Sequence, residues 1–299
     1  MIADEIIIVM GKAKILGMGT TVISLVNGMI GGSILIIPKI ALEGGWAMTL
    51  LIVVVTAFFS YFTCFVTMIH LGDQRDLDHT IQRHFNGNRP LKWLYDFSVW
   101  SGIFLAMVLY FNLIVIQWEG LVPPYEYIIY NPIINGVFLL AWVVLLKFFE
   151  FGAHIMGYGI VSIVAYLVFL VWVIVTAPGG GTSFPAVGSG IAGFAALMSN
   201  AFSIQGIFIP IMICHPTPTN YNRILVLTFT LGAAAYFYIA YLGAFGKLGT
   251  RQASNRTNRD NGQTIEAYFN KSDWEVKLLE GIYLIHLYSV FPEYLLIGK

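Results

Sequence analysis

Eight long runs of the chain are almost free of charge, at 15–38, 48–69, 97–117, 132–149, 155–177, 191–213, 224–246 and 276–297. Lipid offers a backbone no hydrogen-bond partner, so runs of this length have to close their own bonds as helices. Barrel strands would instead show alternating segments of about ten residues, and none is found. Only Lys147, Lys277, Glu280 and Glu293 fall inside these runs, out of 16 Lys+Arg and 16 Asp+Glu. Charged residues make up 11% of the chain and hydrophobic residues 58%. A soluble domain carries about 25% charge, so a water-soluble enzyme or a disordered regulator is excluded. The net charge of zero gives no basic face for nucleic acid. The expectation is an all-α, multi-pass integral membrane protein.

Residues 1–14, with Asp4, Glu5, Lys12 and Lys14, read as a cytoplasmic N-terminus rather than a cleavable leader. The transmembrane domain then covers 15–299. With that end inside, Lys12, Lys14, Arg75, Arg83, Arg89, Lys92, Lys147, Arg223 and Lys299 are cytoplasmic. Lys39 lies opposite, together with Lys247, Arg251, Arg256, Arg259, Lys271 and Lys277 around the last loop. Without that loop the vote is nine to one for a cytoplasmic N-terminus. The same loop holds sequons at Asn255 and Asn270, which need a luminal or extracellular face and make the chain a candidate glycoprotein. The charged stretch 71–92 reads as a solvated cytoplasmic connector. Cys64 and Cys214 both sit in apolar runs, which argues for no disulfide framework and no zinc site.

Helix breakers inside two of the spans are the informative departure. The first span reads Asn27-Gly28-Met29-Ile30-Gly31-Gly32-Ser33-Ile34-Leu35-Ile36-Ile37-Pro38, and each glycine there weakens a helix by roughly 0.5–1 kcal/mol. The sixth reads Ser199-Asn200-Ala201-Phe202-Ser203-Ile204-Gln205-Gly206, with Pro210 a turn further on. Unwound backbone at membrane depth survives only against protein or a water-filled cavity. Transporters use such breaks to hold a solute's charged groups. Close packing is the alternative for the first span, where Gly28 and Gly32 form a small-xxx-small pair. The two breaks lie five spans apart, an odd offset that runs them in opposite directions. This is the pattern of a five-plus-five inverted repeat with helices 1 and 6 interrupted.

At these residues the chain resembles the amino acid/auxin permease family, a branch of the amino acid–polyamine–organocation superfamily. Asn27, Gly31, Gly32, Ile34, Leu35 and Pro38 fit the family's first-helix motif, with Ser33 where a second glycine usually stands. Ala41 and Gly45-Trp46 continue the likeness, as do Ala201, Phe202, Ser203, Pro210 and Ile211 in the sixth span and Phe291-Pro292 in the eighth. Members have about eleven spans. This chain is C-terminally short against them, which leaves the second repeat incomplete. The resemblance implies a secondary active transporter of small neutral amino acids, working by ion-coupled alternating access with no cofactor, at the plasma membrane or an endomembrane such as the vacuole or lysosome. The other reading is a non-transporting sensor or partner subunit that keeps the fold.

Within that frame Gly31, Gly32 and Ser33 would offer backbone N–H groups to a substrate carboxylate. Ser203 and Gln205 would face its amine, with Gly206 beside them in the substrate site. Asn27 could hold substrate or a cation, and a helix–helix hydrogen bond is the competing role. Sodium-coupled relatives place a hydroxyl on the eighth span; here Ile285 or His286 stands near that position and Ser289 one turn away, which does not support sodium coupling, and the sequence alone leaves the coupling ion as a proton or sodium. An ionisable residue inside a span is costly enough to mark function, and His286 could accept a proton. Glu280 is expected to snorkel to the luminal end. Asn112 reads as interhelical glue, Tyr236, Phe237, Tyr238 and Tyr241 as facing lipid or neighbouring helices, and Trp93, Tyr95, Trp118 and Trp274 as interfacial anchors. No metalloprotease, intramembrane protease or hydrolase motif occurs, so the chain is read as no enzyme and no metal protein. Gly17-Met18-Gly19 lacks the context of a dinucleotide loop, and Gly179-Gly180-Gly181 after Pro178 reads as a luminal turn.

Overall fold

A computed structural model describes residues 17–30, 34, 37–71, 89–121, 136–142, 144, 159, 161–168, 171–172, 185–213, 215–245 and 274–297. Among the described residues the regular structure is all helical, with no strand. Eight helices can be followed: α1 (Met18–Met29), α2 (Ile37–Gly44), α3 (Trp46–Leu71), α4 (Arg89–Leu121), α5 (Ile191–Ala201), α6 (Gln205–Ile213), α7 (Tyr221–Phe245) and α8 (Trp274–Ile297). Further helical residues lie at 136–142 and 161–168. Three stretches, Trp46–Ile69, Arg89–Val115 and Pro218–Tyr241, are long and apolar enough to cross a membrane. The helix α8 is of similar length but carries Glu275, Lys277, Glu280 and Glu293.

The helices α3 and α4 show broad apolar faces to the outside. Phe58, Phe59 and Phe62 on α3, and Trp93, Phe97, Phe104 and Leu105 on α4, are each more than half exposed. Apolar surface of this extent needs a partner, and lipid is the one that fits helices of this length. Their other sides enter a common core with Leu25, Met29, Ile30, Phe194, Met198, Phe202, Phe208, Tyr236, Leu287 and Val290. The helix α1 lies within it, against α6, α7 and α8, while α7 also packs on α2 and α3, and α8 on α4.

Proline and glycine set the local path. Pro38 is the second residue of α2, where a missing N–H costs nothing because the first turn has no intrahelical acceptor. At the other end of α2, Gly45 takes φ +89°, and the chain turns straight into α3. This corner is sewn to the segment before α5. Trp46 N–H donates to Pro185 O (2.9 Å), Ala47 N–H to Ala186 O (3.1 Å), Gly188 N–H to Gly44 O (2.9 Å) and Gly190 N–H to Glu43 O (3.0 Å). A methyl on Gly45 would come within 2.7 Å of Ala186 O and Val187 Cα. Glycine is therefore required there both by conformation and by space. The sewing ties the end of the first interrupted segment to the start of the second.

Two apolar windows understate their helices. The helix that contains 97–117 runs from Arg89 to Leu121, since Arg89, Lys92 and Asp96 stop the apolar run without stopping the backbone ladder. The 15–38 run splits into two helices, and the second continues past Pro38 to Gly44.

Candidate functional site

The sixth run is interrupted at three residues. The helix α5 stops at Ala201; Phe202 caps it with φ −86° and ψ 2°, and its N–H bonds back toward Met198 and Asn200. Ser203 N–H donates to Asn200 O (3.1 Å) and Ile204 N–H to Phe202 O (2.9 Å), while Ile207 and Phe208 both bond to Ile204 O (3.0 and 2.9 Å). The ladder of α6 therefore begins one residue after a non-helical pair. Polar Ser203 is exposed at the break, and Gln205 and Gly206 head α6, where the first-turn N–H groups lie ahead of the intrahelical bonds.

The first run ends its helix at Met29. Ile30 leaves helical geometry (φ −80°, ψ 77°), and its N–H closes the last turn on Val26 O. Helix ends leave carbonyls without intrahelical donors, and here two side chains from other helices supply them. The hydroxyl of Tyr236 on α7 donates to Met29 O at 2.5 Å. On α8, His286 Nε2 lies 2.7 Å from Ile30 O. A carbonyl can only accept, so Nε2 carries the hydrogen and, in the neutral ring, Nδ1 holds the lone pair. Nδ1 has no partner at hydrogen-bond geometry, although the Gly159 backbone also faces the ring. The predicted carboxylate cradle, Gly31, Gly32 and Ser33, lies outside the described residues.

Three of the sequence candidates converge beside this end. Ser289 Oγ donates to His286 O at 2.6 Å. Gly159 lies between two of them. A methyl there would collide with Ser289 Oγ and approach Asn27 Oδ1 and Nδ2 to 2.7 and 2.8 Å. Asn27, His286 and Ser289 are thus neighbours around the end of α1, and all three are buried. Tyr283 flanks the imidazole with ring centroids 5.8 Å apart, and Tyr166 meets Tyr283 at 5.5 Å. Chemically, the cluster offers amide, hydroxyl and imidazole groups around two satisfied carbonyls, with one imidazole nitrogen able to take up a proton. Among the described residues, no group of three or more His, Cys, Asp or Glu could hold a metal ion.

Several side chains stand elsewhere than expected. Glu280 does not snorkel; it is 3% exposed on the packed side of α8, the helix that lies along α4. Asn112 is exposed rather than buried as glue. The aromatic stretch fits its expected surroundings, with Tyr238 42% exposed on the outside, Tyr236 fully buried against neighbouring helices, and Tyr241 OH donating to Trp46 O at 2.9 Å. Trp118 Nε1 donates to Tyr288 OH at 3.2 Å. Trp93 is exposed and stacks on Phe97, and Trp274 meets Trp172. The sequons at Asn255 and Asn270, the N-terminal segment 1–14 and the glycines at 179–181 lie outside the described residues.

Sequence reasoning missed Tyr236, Gly159 and Gly232. A signal for Tyr236 existed: a tyrosine buried in an apolar helix needs a partner for its hydroxyl, and Gly232 clears space one turn before it. Gly159 carried no signal, because its neighbours come from helices more than a hundred residues away.

The sequence matches no protein-family model, and no curated protein matches it.

Proposed function

We propose that the chain is a membrane carrier for small neutral amino acids, built as an eight-span portion of a five-plus-five inverted repeat. The solute sits between the interruption after Met29 and the one at Phe202–Ser203–Ile204. Its carboxylate meets the N–H groups of Gly31, Gly32 and Ser33, and its amine meets the Ser203 hydroxyl and the Gln205 side-chain carbonyl, both of which can accept. The likeness of these two segments to the amino acid/auxin permeases supports the reading, as do two helix ends set in one core. The membrane is the plasma membrane or an endomembrane, and the luminal loop carries glycans at Asn255 and Asn270.

The single observation that carries the coupling half of the proposal is His286 on the Ile30 carbonyl, 2.7 Å away. A cation at the end of α1 would have to share that carbonyl with the imidazole N–H, which already takes one of its two lone pairs; this favours a proton over sodium as the coupled ion. His286 accepts it at Nδ1, and Asn27 and Ser289 hold the ring's surroundings. Among the described residues, Tyr283 is the titratable group that meets the ring, with centroids 5.8 Å apart.

Uptake of radiolabelled alanine, serine and glycine into proteoliposomes, with and without an inward proton gradient, tests this. Saturable, gradient-driven accumulation that Gly31→Val abolishes supports it. Ligand-induced thermal stabilisation with no flux would replace it with the sensor or partner-subunit reading.

A further inference from the structure

We infer that Tyr236 is a positioning residue that ties the two helix breaks together, so that a solute seated at one break is felt at the other; this rests on the carrier reading above. Its hydroxyl donates to the carbonyl of Met29, the last residue of α1, at 2.5 Å. Its ring packs edge-on against Phe202, the first residue of the second break, with centroids 5.2 Å apart. One buried side chain from α7 therefore touches both interruptions. Tyr236, Met29 and Phe202 are each at most 1% exposed.

The rest of α7 completes the grip. Gly232, one turn before Tyr236 and on the same face, has no side chain because the Met29 thioether fills that space; a methyl there would collide with the sulfur. Met29 is thus held at its carbonyl by Tyr236 and at its side chain against Gly232. Phe202 also meets Phe229, two turns earlier on α7, stacked at 6.3 Å. Phe229 in turn meets Tyr61 of α3 at 6.2 Å. A tyrosine has only two side-chain torsions, so a shift of Met29 that pulls its hydroxyl also tilts its ring against Phe202. Close-packed interiors pass on such shifts rather than absorb them.

Tyr236→Phe removes the hydroxyl and keeps the ring. Amide hydrogen exchange on the purified full chain, without ligand, should speed up about five- to tenfold, the range expected for one lost buried hydrogen bond, at 26–30 and also at 202–204. Tyr238→Phe, on the exposed face of α7, should change neither. In proteoliposomes the KM for alanine should rise by a similar factor with Vmax kept, and the effects of Tyr236→Phe and Phe202→Leu should be non-additive. Faster exchange confined to 26–30, or a fall in Vmax at unchanged KM, would overturn the tie, since both describe a merely structural tyrosine. If Tyr236→Phe does not accumulate, Gly232→Ala pushes Met29 from the same helix, and unchanged exchange at 202–204 in that variant also overturns it. The exchange readout needs no transport, so a wild-type chain that carries no amino acid would sink the carrier reading while leaving this measurement decisive for the tie.

Discussion

His286, on α8, reaches across to the carbonyl of Ile30 at the point where α1 stops, with Nε2 2.7 Å from the oxygen. The ring's own backbone carbonyl is held by Ser289 three residues on, so α8 presents the imidazole from a fixed base. A helix end that lipid could not solvate is thereby closed by a group able to change its charge. This one relationship joins the fold to the proposed chemistry, because taking up a proton at Nδ1 alters the group that secures the first break.

Replacing that group has a stability cost and a functional one. In His286→Ala the Ile30 carbonyl loses its donor and stays buried, a change worth about 1–3 kcal/mol. Thermal unfolding in detergent should fall accordingly. His286→Gln, whose amide can still donate, should recover much of the stability. Neither variant should respond to a proton gradient, and a glutamine variant that keeps full gradient-driven uptake would remove His286 from coupling.

Gly159→Ala places a methyl against Ser289 Oγ and the Asn27 amide. Overpacking of this kind costs about 1–3 kcal/mol. Removing the hydroxyl with Ser289→Ala should recover part of the loss in the double variant, but not all, because Asn27 still crowds the site. Additive losses in thermal unfolding would mean that Gly159 and Ser289 do not share this space.

At the corner between α2 and α3, Gly45→Ala meets two obstacles at once: a φ of +89° and the Ala186 carbonyl 2.7 Å from the added methyl. Strain at such a position costs on the order of 1–3 kcal/mol before the clash is added. The measurable result is a lower yield of monodisperse protein than Gly44→Ala gives, since the nearest atom to a methyl at Gly44 is Phe194 Cβ at 3.6 Å.

Cys64 lies buried on the inward side of α3, whereas Phe59 on the same helix is 63% exposed. In a Cys214→Ser background, a membrane-permeant maleimide should label Cys64 slowly in the native protein and quickly in SDS. A Phe59→Cys variant, with its thiol on the outer surface of the helix bundle and not enclosed by packed side chains, should be labelled faster than Cys64 in the native protein. Equal native rates at the two positions would contradict the orientation of α3.

The all-helical class was legible because charge is so scarce that long apolar runs leave the backbone no other way to satisfy itself. Asn27, His286 and Ser289 could be singled out one by one as polar groups in apolar spans. Their convergence could not, since it depends on Gly159 admitting them and on α8 crossing the end of α1. Tyr236 was hidden by its neighbours: Phe237, Tyr238 and Tyr241 make an aromatic stretch whose composition suits lipid, and only the helical phase separates buried Tyr236 from exposed Tyr238. Glu280 misled for the opposite reason. Its place near a span end suggests a side chain that reaches for water, but it is buried, 3% exposed, on the packed side of α8. The extent of α4 was obscured by Arg89, Lys92 and Asp96, which mark the limit of an apolar run and not of a helix.

In the proposed carrier two interrupted helices face a shared hollow that receives a small neutral amino acid. A cryo-electron microscopy map of the full chain with saturating alanine tests it most directly. The map should show helices interrupted between Met29 and Ile37 and at 202–204, with alanine density between them within hydrogen-bond distance of the Gly31–Ser33 backbone and of Ser203. Two continuous helices packed side by side, with no space and no added density between them, would contradict it.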